Sequence, residues 1–144
     1  MTIDMRAMLG RVVPDVFDEH LVTADVNADH EIWPYGSLVD SRTIEGRSVI
    51  IGADGGAFMV GYVPELNVQA MVFDEEDEEE DAEEYREKAL RELCLVMLVY
   101  LEGGGRISER RSLLGRGVVR KLIIESDGFE WRLGRNLGSG PKPL

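Results

Sequence analysis

Cysteine and histidine are scarce in this sequence: its 144 residues include one cysteine and two histidines. A single cysteine excludes an internal disulfide, and we expect Cys94 to be packed in the core because it lies within an apolar run. The usual pairs of nucleophile and base, and the usual sets of zinc ligands, need more residues of these two types. The composition therefore favours a protein that is not an enzyme and needs no cofactor.

Long hydrophobic runs are also lacking. The longest apolar stretch covers residues 93–101, whereas a membrane-spanning helix needs about 20 residues. Residues 1–10 lack the apolar stretch of a signal peptide. We therefore expect a cytoplasmic protein with no membrane partner. With 144 residues and an ordinary apolar fraction of 44%, the chain can bury a sizeable core, and we expect one domain over residues 1–134.

Positive charge is in short supply, with 16 Lys and Arg residues against 28 Asp and Glu residues, for a net charge of −12. Residues 1–102 carry 7 basic and 24 acidic residues, a net charge of −17, whereas residues 103–144 carry 9 basic and 4 acidic residues, a net charge of +5. Such a field disfavours contact with the phosphate backbone of nucleic acid and favours cationic partners. The alternative interpretation is that the charge only serves solubility.

The sequence does contain one dominant stretch, residues 74–101. All of residues 74–84 are acidic except Ala82, and residues 93–101 are all apolar. Acidic side chains stabilise a helix N-terminus, apolar residues recur every three or four positions, and the glycines at 103–105 suit a helix C-cap. This pattern predicts one long helix at the centre of the core, although the apolar run alone could be a buried strand. Mutual repulsion among the carboxylates favours disorder in its first turn or two.

A shorter helix is predicted at residues 1–9. Thr2 or Asp4 is its candidate N-cap, and apolar residues follow at helical spacing. We expect Gly10 to end this helix and Pro14 to prevent its continuation, because proline lacks the N–H group that the next turn needs.

Three strands are predicted after residues 15–40, which show no clear periodicity. Asp54 and Gly55 lie between two apolar runs, and an Asp-Gly pair in that position is a strong signal for a β-hairpin with a two-residue loop. Such a loop places Val49 opposite Val60. The next run also has strand-like alternation and continues the meander. The three predicted strands cover residues 47–52, 57–63 and 66–73.

A second hairpin is predicted near the C-terminus. Two apolar runs flank Asp127 and Gly128, and a two-residue loop there places Trp131 opposite Ile124 on an apolar face. We expect residues 135–144 to form a flexible tail. The two predicted strands cover residues 118–126 and 129–134.

The predicted order of elements is helix, three-stranded meander, long helix and two-stranded hairpin. It predicts an α+β domain in which an antiparallel sheet, made of the meander and the C-terminal hairpin, packs against one long and one short helix. This order resembles that of the small acidic chaperones of type III secretion and of related bacterial α+β families. The resemblance rests on the order of elements rather than on any shared motif, and it implies a dimeric, non-enzymatic role in binding a partner.

The stretch most similar to a metal site starts at Asp25. Together with Asn27 and Asp29, Asp25 resembles the opening of a calcium-binding loop, but His30 stands where the sharp turn of that loop needs glycine. The position of the bidentate glutamate is also occupied by a different residue, Gly36. The two histidines lie ten residues apart without a cysteine or third histidine nearby. We therefore expect no metal site.

The segment from Arg106 to Lys121 is basic and shows no clear periodicity. Arg110 and Arg111 are adjacent in this segment. One interpretation is a contact surface for an anion or for nucleic acid. The other is that these arginines pair with acidic residues 74–84, within the chain or across a homodimer, and we favour it because carboxylates outnumber the arginines.

These patterns favour a non-enzymatic protein-binding module that recognises a basic partner through an acidic surface, as an immunity or antitoxin protein does. Nucleic acid is not an expected partner. A dimer similar to a secretion chaperone is the first alternative, and a small enzyme or metal-binding domain centred on Asp25 to Glu31 is the second. The residues predicted to contact the partner are Glu75, Glu76, Glu78, Glu79, Glu80, Arg110 and Arg111.

Overall fold

The computed structural model describes residues 3–24, 35–54, 58–73, 82–111, 117–135 and 141–143. This part of the chain contains two α-helices and nine β-strands. The helices are α1 (Met5–Val16) and α2 (Ala82–Leu101). The strands are β1 (Leu21–Thr23), β2 (Tyr35–Asp40), β3 (Ser48–Ala53), β4 (Phe58–Val63), β5 (Val68–Phe73), β6 (Arg106–Arg111), β7 (Val118–Ser126), β8 (Phe129–Leu133) and β9 (Pro141–Pro143).

The strands form two antiparallel sheets, which confirms the predicted α+β class. The first sheet has the order β1-β2-β3-β4-β5 and contains the predicted meander, and the second has the order β6-β7-β8-β9 and contains the predicted hairpin. Two backbone hydrogen bonds join the sheets. The backbone N–H group of Gln69 donates to the carbonyl of Gly134 at 2.9 Å, and the N–H group of Gly134 donates to the carbonyl of Gln69 at 3.3 Å. The hairpin therefore lies beside the last strand of the meander.

Helix α2 confirms that the apolar run is helical. Its first turn carries Glu83 and Glu84, whose charges suit the unpaired N–H groups at a helix start. Residues 74–81, which were predicted to belong to the same helix, lie outside the described residues. Neither of the two described helices has the length and apolarity needed to cross a bilayer.

The glycines after α2 end the helix as predicted. Gly103 has a positive φ of 95°. Its N–H group donates to the carbonyl of Tyr100 at 3.1 Å, and the N–H group of Gly104 donates to that of Val99 at 2.8 Å. This pair of bonds is the Schellman motif, which satisfies carbonyls that the helix itself leaves unpaired.

Helix α2 also connects the two sheets through a shared core. It contacts β3, β4 and β5 of the first sheet and β7 of the second, and one cluster of buried side chains includes residues from both helices and both sheets. The helix lies close to β4 because Gly61 has no side chain. A Cβ atom there would lie 2.9 Å from Met97 Sδ and 3.2 Å from Leu93 Cδ1.

Helix α1 is longer than predicted. Asp4 is its N-cap, and the Asp4 side chain accepts a hydrogen bond from the N–H group of Ala7 at 3.0 Å. The prediction that Gly10 and Pro14 stop the helix is wrong, since it continues to Val16. Pro14 cannot donate to the carbonyl of Gly10, and burial of an apolar stripe offsets this cost and the low helix propensity of glycine. That stripe consists of Met5, Met8, Leu9, Val12 and Val13.

The three strands of the meander are where the sequence predicts them, but the register of the first hairpin is wrong. Val60 lies opposite Gly52 rather than Val49. The cause is a longer connection, because Asp54 still pairs with Phe58 through a backbone hydrogen bond of 3.3 Å. Three residues, 55–57, therefore connect the paired positions instead of two.

The register of the second hairpin is as predicted, with Ile124 opposite Trp131. Strands β1, β2, β6 and β9 lie outside the predicted elements. All six residues of β6 are exposed, so its sequence has no alternation of apolar and polar residues to reveal a strand. Strand β9 falls within the predicted tail and pairs with β8 at the edge of its sheet, where prolines are tolerated.

Side chains from neighbouring loops hold the C-terminal end of α2. Arg47 Nη1 donates to the carbonyls of Tyr100 at 2.8 Å and Gly104 at 3.1 Å. The guanidinium of Arg47 also lies 4.5 Å from the centroid of the Tyr100 ring. Ser41 Oγ donates to the carbonyl of Leu101 at 2.7 Å. We call Arg47 and Ser41, with the carbonyls that they bind and the ring of Tyr100, the C-terminal clamp.

The hydroxyl of Tyr100 extends this network to the turn between β4 and β5. It donates to Glu65 Oε1 at 2.7 Å, and Ser48 Oγ donates to Glu65 Oε2 at 2.9 Å. Burial of Tyr100, and then its hydrogen bond to Glu65, raise the pKa of the phenol. The phenol therefore stays protonated as a donor throughout the physiological pH range.

Candidate protein-binding groove

The acidic residues predicted to contact a partner lie outside the described part of the chain. They are Glu75, Glu76, Glu78, Glu79 and Glu80. Arg110 and Arg111, predicted with them, are exposed on β6. Successive residues of a strand point to opposite faces of a sheet, so these two arginines do not form one patch.

Two other arginines of the basic segment pair within the second sheet. Arg120 Nε lies 2.9 Å from Glu109 Oε1, and Arg106 Nη2 lies 3.7 Å from Glu130 Oε1. Residues 74–81 lie outside the described residues, so the pairing of this segment's arginines with acidic residues 74–84 stays a prediction. The strand register explains the closer pair, since Glu109 lies directly opposite Arg120.

Within the described ranges, the residues able to ligate metals or act as nucleophiles are not assembled into a site. His20 is buried and accepts a hydrogen bond through Nδ1 from the N–H group of Arg42 at 3.2 Å. Cys94 is in the core as predicted, and burial raises the pKa of its thiol. Among the described residues, no group of three His, Cys, Asp or Glu could hold a metal ion. The loop from Asp25 to Glu31 lies outside them.

The turn between β7 and β8 forms one wall of a groove. Asp127 and Gly128 have positive φ angles of 52° and 80°, as in the type I′ turn that an Asp-Gly pair favours. Ser126 therefore lies opposite Phe129 at the hairpin tip. Phe129 keeps 42% of its surface exposed, which is unusual for a large aromatic side chain in a small protein.

Helix α2 forms the other wall. A helix buries only one stripe of its surface, so an unbroken apolar run must leave some residues outside. The prediction that the run is buried is wrong at Leu95, which is 48% exposed. We call the space between this face of α2 and the hairpin tip the α2–hairpin groove. It is lined by Glu92, Leu95, Val96, Ser126, Asp127, Phe129 and Trp131.

The size of the α2–hairpin groove limits what it can hold. Its volume is about 90 Å³, whereas sites for cofactors and drug-sized ligands have roughly 300–1,000 Å³. Trp131 is only 5% exposed and packs in the same core as α2, so this side of the groove is rigid. The groove is thus suited to one apolar side chain of a larger partner.

The polar residues of the groove give it a negative character. Glu92 and Asp127 are both exposed carboxylates, and none of the seven lining residues is basic. Ser126 supplies a hydroxyl, but no histidine, lysine or cysteine lines the groove to activate it as a nucleophile. This arrangement suits the binding of an apolar group next to a positive charge.

A second cavity, of about 110 Å³, lies between α1 and β2. Arg6, Leu9 and Gly10 line it on one side, and Tyr35 and Ser37 line it on the other. Its lining includes Ala24 and Tyr35, the last and first described residues on either side of the undescribed stretch 25–34, and we assign the cavity no role.

Comparison with known proteins gives no relative for this chain: no protein-family model, curated protein or solved structure matches it. The assignment of a function therefore depends on the α2–hairpin groove and on the distribution of charge.

Proposed function

We propose that this protein is a non-enzymatic binding module for a basic protein partner, of the immunity or antitoxin type. The observation that carries the proposal is the α2–hairpin groove, in which exposed Leu95 and Phe129 lie beside the carboxylates of Glu92 and Asp127. An apolar side chain of the partner enters between Leu95 and Phe129. A lysine or arginine next to it meets the two carboxylates.

The energetics of interfaces support this assignment of roles. A few buried apolar and aromatic contacts carry most of the binding energy at protein interfaces, whereas charges around them act mainly on specificity and on the rate of association. The net charge of −17 on residues 1–102 would attract a basic partner over a distance. The groove then provides the contact that holds it.

The test measures the binding of three short peptides by the change in Trp131 fluorescence. It uses the Trp33→Phe variant, in which Trp131 is the remaining tryptophan. Lys-Lys-Leu-Lys-Lys combines both features, Lys-Lys-Ser-Lys-Lys lacks the apolar side chain, and Glu-Glu-Leu-Glu-Glu reverses the charge. We expect the first to bind about tenfold more tightly than the second, because burial of a leucine contributes roughly 1.5–3 kcal/mol. The third should bind least.

Two variants locate the binding. Leu95→Ser and Phe129→Ser should each weaken binding of Lys-Lys-Leu-Lys-Lys, whereas Leu21→Ser is a matched control on β1 with 49% exposure. All three side chains are near half exposed, so the urea midpoints should stay close to that of the parent. Equal binding of the three peptides, or equal binding by the parent and Leu95→Ser, would contradict the proposal.

A further inference from the structure

We propose a second interaction surface at the free edge of β6, where an extended acidic segment of a partner protein adds to the sheet as a further strand. The surface is independent of the α2–hairpin groove and has the opposite charge. We call it the β6 edge site, and it comprises the backbone of β6 with the side chains of Arg106, Arg110 and Lys121.

Strand β6 offers the backbone for such pairing. It lies at the end of the second sheet, whose order is β6-β7-β8-β9. Within the described ranges, no strand pairs with the side of β6 that faces away from β7. All six of its residues are exposed, and half of the N–H and C=O groups of an edge strand point away from its neighbour. These groups are donors and acceptors for an added strand.

The side chains on one face give this edge a positive charge. Ser108 lies directly opposite Lys121, and alternate residues of a strand share a face, so Arg106 and Arg110 lie on the same face as Lys121. Each arginine is diagonal to Lys121, at roughly 7–8 Å between Cα atoms. Arg106 has one partner, Glu130 at 3.7 Å, whereas no ion pair within the described residues involves Arg110 or Lys121.

A second copy of β6 fits this edge poorly. Directly opposed residues must both turn their N–H and C=O groups toward the partner strand or both turn them away, so antiparallel self-pairing of at least five residues is possible in two registers. One opposes Arg106 to Arg110, and the other opposes Glu109 to its own copy. Like charges in directly opposed positions destabilise a sheet. Symmetric pairing of two β6 strands is therefore disfavoured.

An acidic peptide fits better than nucleic acid. Single-stranded nucleic acid is usually held by aromatic side chains that stack on its bases, and the exposed face around Lys121 offers only Val119 and Ile123 as apolar residues. A short peptide with glutamates at alternate positions would place each carboxylate beside Arg106 or Arg110 and would pair its backbone with β6.

The test uses fluorescence anisotropy with labelled peptides. The probe is acetyl-Glu-Thr-Glu-Thr-Glu-Thr-amide, and the matched control replaces each glutamate by lysine. We expect only the acidic probe to bind, and we expect Arg110→Glu or Lys121→Glu to weaken its binding about tenfold, the effect of losing one charge-assisted hydrogen bond. Arg42→Glu is the control for charge, since Arg42 is exposed in the loop between β2 and β3 of the other sheet.

Two versions of the acidic probe, methylated at alternate backbone amides, separate strand addition from attraction between charges. One of the two versions should lose binding, because its methyl groups remove the N–H groups that face β6. Equal binding by both would overturn the addition of a strand. Tighter binding of a short single-stranded oligothymidine, or self-association that competes with the probe, would assign the site to another occupant. If the acidic probe does not bind, the proposal is overturned. The arginines would then serve to keep the edge of β6 from pairing with other strands.

Discussion

The first sheet and the second sheet differ in what covers them. Five of the six residues of β4 are buried beneath α2 or on the opposite face, whereas all six residues of β6 are exposed. Both strands are six residues long and both pair antiparallel to their neighbours. The difference is the helix: α2 covers the first sheet, but on the second it reaches β7 without covering β6. We therefore expect stability to depend more on β4 than on β6, and recognition to involve the uncovered part of the second sheet.

The largest effect that this comparison predicts is in the contact between α2 and β4. Leu93→Ala or Met97→Ala should lower the free energy of unfolding by roughly 2–5 kcal/mol, the usual cost of a large-to-small substitution in a packed core. Both side chains are fully buried. Urea unfolding measures the loss. Midpoints equal to that of the parent would mean that α2 is not packed on the first sheet.

A smaller effect is expected where Tyr100 joins α2 to the first sheet. Tyr100→Phe should cost roughly 1.5–3 kcal/mol, as for a hydrogen bond to a charged group, because it removes the bond to the Glu65 carboxylate. The pKa of Tyr100 is raised by burial and by Glu65, so folding favours the protonated phenol. That contribution is complete below pH 10, the ordinary pKa of tyrosine, and is lost as pH rises above it. The parent should therefore lose stability above pH 10 more steeply than Tyr100→Phe does; parallel pH profiles would contradict this.

The smallest effect is expected at the uncovered end of the second sheet. Ile107→Ser and Val118→Ser should each change the free energy of unfolding by no more than about 0.5 kcal/mol, as is usual for surface substitutions. These side chains are 44% and 47% exposed. A loss of more than about 2 kcal/mol, which is typical of core positions, would show that this end of the sheet is covered by a part of the molecule outside the described residues.

The sequence predicts the elements whose signal is local. The apolar run of α2, the glycines after it and both hairpins follow from periodicity and turn residues, and in the second hairpin the Asp-Gly turn also predicts the register. In the first hairpin the same two-residue rule fails, because Asp54 is still paired with Phe58. Turn residues therefore locate a hairpin more reliably than they fix its loop length.

The α2–hairpin groove could not be predicted from the sequence. Leu95 lies in an apolar run that suggests a core, and only the position of α2 against β7 and β8 shows which residue of the run is left outside. Phe129 and Asp127 were predicted at a hairpin, but their proximity to Glu92 depends on contacts between residues far apart in the chain. Strand β6 was missed for a related reason, since a fully exposed strand has no apolar alternation.

The C-terminal clamp has a consequence for the rates of folding and unfolding. Arg47 binds carbonyl groups of residues 53 and 57 positions further along the chain, and these carbonyls converge only after α2 has formed and ended at its glycine cap. We therefore expect the clamp to close late in folding, after the transition state. Interactions that are absent from the transition state slow unfolding without accelerating folding. We accordingly predict that loss of the Arg47 side chain speeds unfolding and leaves the rate of folding unchanged.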